Sequence, residues 1–155
     1  PSGDYCVDAI NATTMLIRVK AIKDIGGWDD DIYVYLEDID ISLRMNLANY
    51  RIIKILDAVV DHMGWSSHFS TIKNTMNVSR IWHFTWSSLY FQRKFCNKIL
   101  VYQSVFGIIF LCILKNLFHL ITFNLKKFKI NNIKISACLS LILNRGSYFR
   151  VKHNV

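Results

Sequence analysis

The rhythm of apolar and polar positions changes several times along the chain. Residues 12–19, Ala-Thr-Thr-Met-Leu-Ile-Arg-Val, are β-branched and apolar enough for a buried strand or its approach. The pattern predicts a short helix over residues 19–25, stopped by Gly26-Gly27, because glycine takes backbone angles closed to other residues and so ends helices. Trp28-Asp29-Asp30-Asp31 follows as a loop. From Glu37 the spacing becomes helical: Ile39, Leu43 and Leu47 recur at i, i+4 and i+8 with Ile41 beside them, acidic residues fill the first turn, and the pattern ends near Asn49-Tyr50. Residues 51–56 and 58–60 then read as two short strands or one bent strand that delivers His62 at a strand end, ahead of a Gly64-Trp65-Ser66-Ser67 loop.

Beyond that loop the character changes. Residues 70–98 are aromatic and basic, with Trp82, Phe84, Trp86, Tyr90, Phe91 and Phe95 spaced for a helix apolar on most sides, which needs a partner surface. Residues 99–114 carry no charge at all; as a helix they measure roughly 24 Å, slightly short of a bilayer core. The longer stretch 99–125 spans only if Lys115 snorkels or faces protein. Residues 124–134 read as a polar, basic turn region. Residues 135–143 form a second apolar run, about nine residues and too short to span, which either lies in the interface or packs on the first run. The apolar run is interior, so it is not a signal peptide. No repeat and no Gly/Ser or Pro linker interrupts the chain, which divides into residues 1–98 and an apolar, membrane-associated extension over residues 99–155.

Charge sharpens that division. The chain has 155 residues, 19 Lys and Arg against 11 Asp and Glu, and a formal charge of +8. All 11 acidic residues lie in residues 1–62 beside 6 basic ones, and residues 63–155 hold 13 basic residues and no acid. At 52% hydrophobic residues the chain is not disordered, and its 4 scattered cysteines, none in a Cys-x-x-Cys pair, do not make a disulfide scaffold. An acid-free basic half fits an anionic membrane face or a nucleic acid. The uncharged run 99–114 is too apolar for a solvated strand-binding face, which favours the membrane over nucleic acid. Oligomerisation through the apolar helices is a third reading.

Three elements of the acidic half carry candidate chemistry: Gly26-Gly27-Trp28-Asp29, Glu37-Asp38-Ile39-Asp40, and Asp61-His62-Met63-Gly64-Trp65-Ser66. Singly each has an ordinary explanation. Carboxylates at a helix start accept bonds from free backbone N–H groups and oppose the helix dipole; a lone histidine is more often hydrogen-bonded than metal-bound; Gly-Gly is a turn.

In this order, with Met15-Leu16-Ile17-Arg18 before them, Arg44 inside the acidic helix and Ala48-Asn49-Tyr50 after it, they resemble the C-terminal part of the catalytic domain of family-2 inverting glycosyltransferases, particularly the bacterial rhamnosyltransferase-like group. The resemblance covers roughly residues 8–98. Asn49 stands where the family usually has glycine, and asparagine tolerates the same left-handed turn. The resemblance implies an α/β fold, the C-terminal half of a GT-A (Rossmann-like) domain. It implies Asp38 as the general base that takes the proton of an attacking acceptor hydroxyl, with Glu37 and Asp40 either orienting it or capping the helix. It further implies His62 as a ligand of a divalent metal, Mn²⁺ or Mg²⁺. Trp28, with Gly27 and Asp29, would line the acceptor side, where an aromatic face packs on sugar C–H groups; Ser66 would touch substrate, and Arg44 would either touch substrate or make a salt bridge.

The implied partners are a nucleotide-sugar donor, a polyprenyl-diphosphate-linked glycan acceptor and the anionic cytoplasmic face of a bacterial inner membrane, in O-antigen or capsule assembly. The nucleotide-binding half of such enzymes, with its Asp-x-Asp metal motif, has no counterpart before Gly26; Asp29-Asp30-Asp31 stands in the acceptor-side position instead. The expectation is a C-terminal piece of a longer enzyme, inert alone.

Overall fold

The computed structural model describes residues 3–62 and 73–150. Contacts divide them into two units, residues 3–32 with 36–62, and residues 33–35 with 73–150. Together they are mostly helical. The sheet among the described residues is a two-stranded antiparallel ribbon of β1 (Tyr5–Val7) and β2 (Ile52–Lys54), with Cys6 opposite Ile53. A Rossmann-like parallel sheet is not among these elements.

In the first unit a 3-10 turn (Ala12–Thr14), α1 (Val19–Asp24) and α2 (Glu37–Leu47) stand between the two strands in sequence. The strand expected over residues 12–19 does not form. Asn11 Oδ1 accepts the Thr13 N–H at 2.9 Å, a local bond that holds the chain in a turn rather than a ladder, and Leu16 is 98% exposed. Likewise residues 58–60 are not a strand, and exposed His62 follows irregular chain rather than a strand end. Helices α1 and α2 pack through Ala21, Ile41 and Met45, flanked by Met15, Ile17, Ile22, Ile25, Tyr50 and Ile52.

The expected apolar stripe of α2 is mis-phased: Leu47 is exposed, and the buried positions are Asp40, Ile41, Ser42 and Met45. Two of those four are polar, and their side chains are satisfied by hydrogen bonds, so hydrophobicity alone points to the wrong face.

The second unit consists of α3 (Lys73–Phe95), α4 (Lys98–Ile121) and α5 (Leu125–Ile142). Its core joins Trp82, Trp86 and Leu89 of α3, Val101 and Val105 of α4, and Ala137, Cys138 and Leu141 of α5. Trp86 stacks between Trp82 and Tyr90, with ring centroids 6.4 and 4.9 Å away.

The polar turn expected over residues 124–134 shrinks to residues 122–124. Phe123 takes φ 52°, and its N–H and that of Asn124 bond back to Leu120 and His119. Asn124 then caps α5 by accepting the Lys127 N–H at 3.2 Å. The asparagines that mimic a turn in sequence are spent inside the hairpin: Asn131 Nδ2 donates to Asn116 Oδ1, and Asn116 Nδ2 to Asn132 Oδ1, both at 2.8 Å. That pairing makes α4 and α5 antiparallel neighbours.

Candidate functional site

The first unit's chemistry is organised by the end of α1 and the start of α2. Gly26 and Gly27 both have left-handed backbones, φ 83° and 82°. The Gly27 N–H returns to the Ile22 carbonyl at 2.8 Å and the Gly26 N–H to Lys23 at 3.1 Å, the paired bonds that close a helix with a glycine. Asn49 does the same for α2 with φ 62°: its N–H bonds to Asn46 at 3.0 Å and that of Tyr50 to Met45 at 2.9 Å. This is the left-handed turn expected of asparagine there.

Arg44 ties the two elements together. Its Nε donates to Asp40 Oδ2 at 2.8 Å, and its Nη1 donates to the carbonyls of Ile25 at 2.9 Å and Gly27 at 2.6 Å. The Asp40 side chain is 1% exposed and that of Arg44 15%. Asp40 and Arg44 therefore form a buried clamp that holds the Gly-Gly turn against the acidic helix. The carboxylate and the guanidinium are thus engaged with each other and with the turn, and Arg44 Nη2 is buried with no hydrogen-bond partner among the described residues.

Asp38 has a different environment. It is half-buried; its Oδ1 accepts the Ile39 N–H at 2.9 Å and its Oδ2 the Ala12 N–H at 3.4 Å. Further along the same helix face, Ser42 Oγ accepts the Ile10 N–H at 3.4 Å and Asn46 Nδ2 donates to the Asp8 carbonyl at 2.7 Å. Asp38, Ser42 and Asn46, at i, i+4 and i+8, thus hold residues 8–12 along the helix. The sequence reading missed Ser42 and Asn46, although a polar row at that spacing is visible in the chain. The helix is entered through two consecutive left-handed residues, Tyr35 and Leu36, each at φ 68°. For bulky side chains this conformation is strained, and Leu36 gives α2 no side-chain cap.

Glu37 Oε2 is buried with no hydrogen-bond partner among the described residues. Trp28 is 45% exposed immediately after the Gly-Gly turn. Asp29 Oδ1 accepts the Asp31 N–H at 3.0 Å and its carbonyl the Ile32 N–H at 3.0 Å, closing the acidic loop on itself. Behind the turn, Asp24 accepts bonds from Lys20 Nζ at 2.7 Å and from the Tyr50 hydroxyl; these hold its carboxyl below the ordinary range, Lys20 contributing most.

Ser66 lies outside the described residues. His62 is exposed, and among the described residues no three His, Cys, Asp or Glu side chains converge on a point that could hold a cation. These residues by themselves do not fit a metal site. The open hollow of about 430 Å³ in this unit lies at the other end of α2 from Asp38, lined by Asp8, Asn46, Asn49 and Tyr50 among others.

The structure thus brings Gly27, Asp40 and Arg44 together directly, and places Trp28 and Asp38 on the two elements that Arg44 joins. Compared with models of protein families, with curated proteins and with solved structures, the chain matches none.

Proposed function

We propose that this chain supplies the acceptor-and-base side of an inverting glycosyltransferase that acts at the cytoplasmic face of a bacterial membrane. The observation that supports it best is the division of labour within one helix turn. Asp40 is locked to Arg44 and, through it, to the Gly26-Gly27 turn. Asp38, two residues earlier, keeps partial exposure and accepts only weak or local backbone bonds. A carboxylate held in position but left with accepting capacity suits a general base.

In this reading Asp38 removes the proton of an acceptor hydroxyl as its oxygen bonds to the anomeric carbon of a nucleotide sugar. The bond from that carbon to the nucleoside diphosphate breaks, the diphosphate leaves with the electron pair, and the configuration inverts. Trp28, exposed beside the turn, offers its ring face to acceptor sugar C–H groups. A GT-A sheet, a donor site and a divalent ion belong to the same proposal; no step is routed through the ion. A polyprenyl-diphosphate-linked glycan is the acceptor class that fits an acid-free basic half beside an apolar helix.

The test is transfer of isotopically labelled sugar into lipid-extractable glycan by membranes carrying the enzyme, with the product's anomeric configuration read by NMR. Inversion is expected. Retention of configuration, or no transfer from any nucleotide sugar, overturns the proposal.

A further inference from the structure

Helix α4 is 24 residues long with a mean hydropathy of 2.0 over its most apolar window, and only 17% of that window is buried. Its inner face, Val101, Val105, Cys112 and Asn116, is covered by its own unit. The opposite face is an unbroken apolar ridge, Tyr102, Phe106, Phe110, Ile113, Leu117 and Ile121, every member about half exposed or more. At roughly 36 Å the helix is long enough to cross a bilayer. Its partner makes the crossing costly. The Asn116–Asn131 and Asn116–Asn132 bonds and the Val101, Val105, Cys138 and Leu141 core hold α5 antiparallel along it.

If α4 stood upright, α5 would be carried in with it. Lys134, nine residues from the start of α5, would sit about 14 Å from the hairpin turn, close to the middle of a ~30 Å hydrocarbon core. Lys126, Lys127 and Lys129 would enter before it. Charged groups at that depth are strongly disfavoured.

Laid flat, α4 puts its whole ridge at one depth and keeps every lysine at headgroup level. The occupant of the ridge follows from charge. The hairpin's formally charged residues, Lys98, Lys115, Lys126, Lys127, Lys129 and Lys134, are all basic, and residues 63–155 contain no acid. A second hairpin seated ridge to ridge would bring like charge beside like charge, whereas anionic phospholipid complements it.

We infer that α4 lies in the plane of an anionic bilayer interface, its Tyr102–Ile121 ridge in the acyl boundary, as a monotopic hairpin with α5 rather than as a spanning helix. This deepens the membrane attachment proposed above and is independent of catalysis. Absence of sugar transfer leaves it standing, and failure of lipid binding overturns it without touching Asp38.

The test uses the full chain and vesicles of two parts phosphatidylcholine to one part phosphatidylglycerol. Tyr102→Trp, Phe110→Trp and Ile121→Trp are compared for depth-dependent quenching by brominated lipids, above the signal of the native tryptophans. Equal shallow depth at all three is expected. The combined Phe106→Glu and Phe110→Glu changes, both on exposed positions, should lower vesicle partitioning at least about tenfold with the helix content unchanged. A deep Phe110→Trp flanked by shallow Tyr102→Trp and Ile121→Trp would mean a span. No quenching at any of the three would mean a ridge covered by protein, a second copy included. Either result overturns the inference.

Discussion

Replacing Arg44 by methionine tests whether the clamp organises the acidic helix. The guanidinium makes three hydrogen bonds, to Asp40 Oδ2 at 2.8 Å and to the Ile25 and Gly27 carbonyls at 2.9 and 2.6 Å, in a setting where Asp40 is 1% exposed. Methionine keeps much of the stem's packing, so the loss is chiefly electrostatic. Removing one member of a buried ion pair leaves a desolvated charge and costs roughly 3–5 kcal/mol. The two carbonyls lie at the edge of the Gly-Gly turn and add less, because water reaches them once the side chain retreats.

Arg44→Met should therefore destabilise the first unit by about 3–5 kcal/mol, and Arg44→Met combined with Asp40→Leu should recover most of that loss, since an apolar pair needs no solvation. Hydrogen exchange of α1 and α2 amides, followed by mass spectrometry, reads the change unit by unit. A loss below about 1 kcal/mol for Arg44→Met, or no recovery in the double variant, would refute the clamp.

Gly27→Ala should cost about 1–2 kcal/mol through backbone strain alone, because φ is 82° and a Cβ there would meet nothing within 4 Å; a neutral result in the same exchange measurement would contradict the left-handed turn. His83 is fully buried, with Nε2 2.9 Å from the Phe149 carbonyl and Nδ1 2.8 Å from Ser147 Oγ. Because a carbonyl only accepts, Nε2 carries the proton and Nδ1 accepts from the hydroxyl. Burial pushes the His83 pKa below its ordinary 6.5. The unfolded state then binds more protons than the folded one just below that value, so docking of residues 147–150 on α3 should weaken as pH falls through it and hold above it. Urea midpoints compared at about pH 5 and pH 7 check the sign, and His83→Phe should flatten the difference.

The elements that depend on composition or backbone freedom were legible in the chain. Helices α3 and α4 follow from long apolar and aromatic runs, and the Gly26-Gly27 and Asn49 turns from residues that accept left-handed angles. What escaped reading depends on side-chain bonds to distant backbone. Ser42 and Asn46 face inward because residues 8–12 offer them an N–H and a carbonyl, and that partnership is invisible to a hydrophobic count. The same holds for Asn131, which reads as a turn residue until Asn116 stands opposite it across the hairpin. Of the proposed site, the acidic start of α2 with Asp38 was visible in sequence, and a salt bridge was one reading of Arg44; that its partner is Asp40 and that it also reaches the Ile25 and Gly27 carbonyls depends on the fold.

The central claim is that Asp38 accepts the acceptor's proton, and the measurement that tests it most directly is sugar transfer by Asp38→Asn in membranes carrying the enzyme, alongside nucleotide-sugar binding. Asparagine keeps the size and the hydrogen-bonding carbonyl of Asp38 and removes its basicity. Transfer should fall by about 10²–10⁴-fold with donor affinity unchanged. Transfer within a few-fold of the unsubstituted enzyme would contradict the assignment.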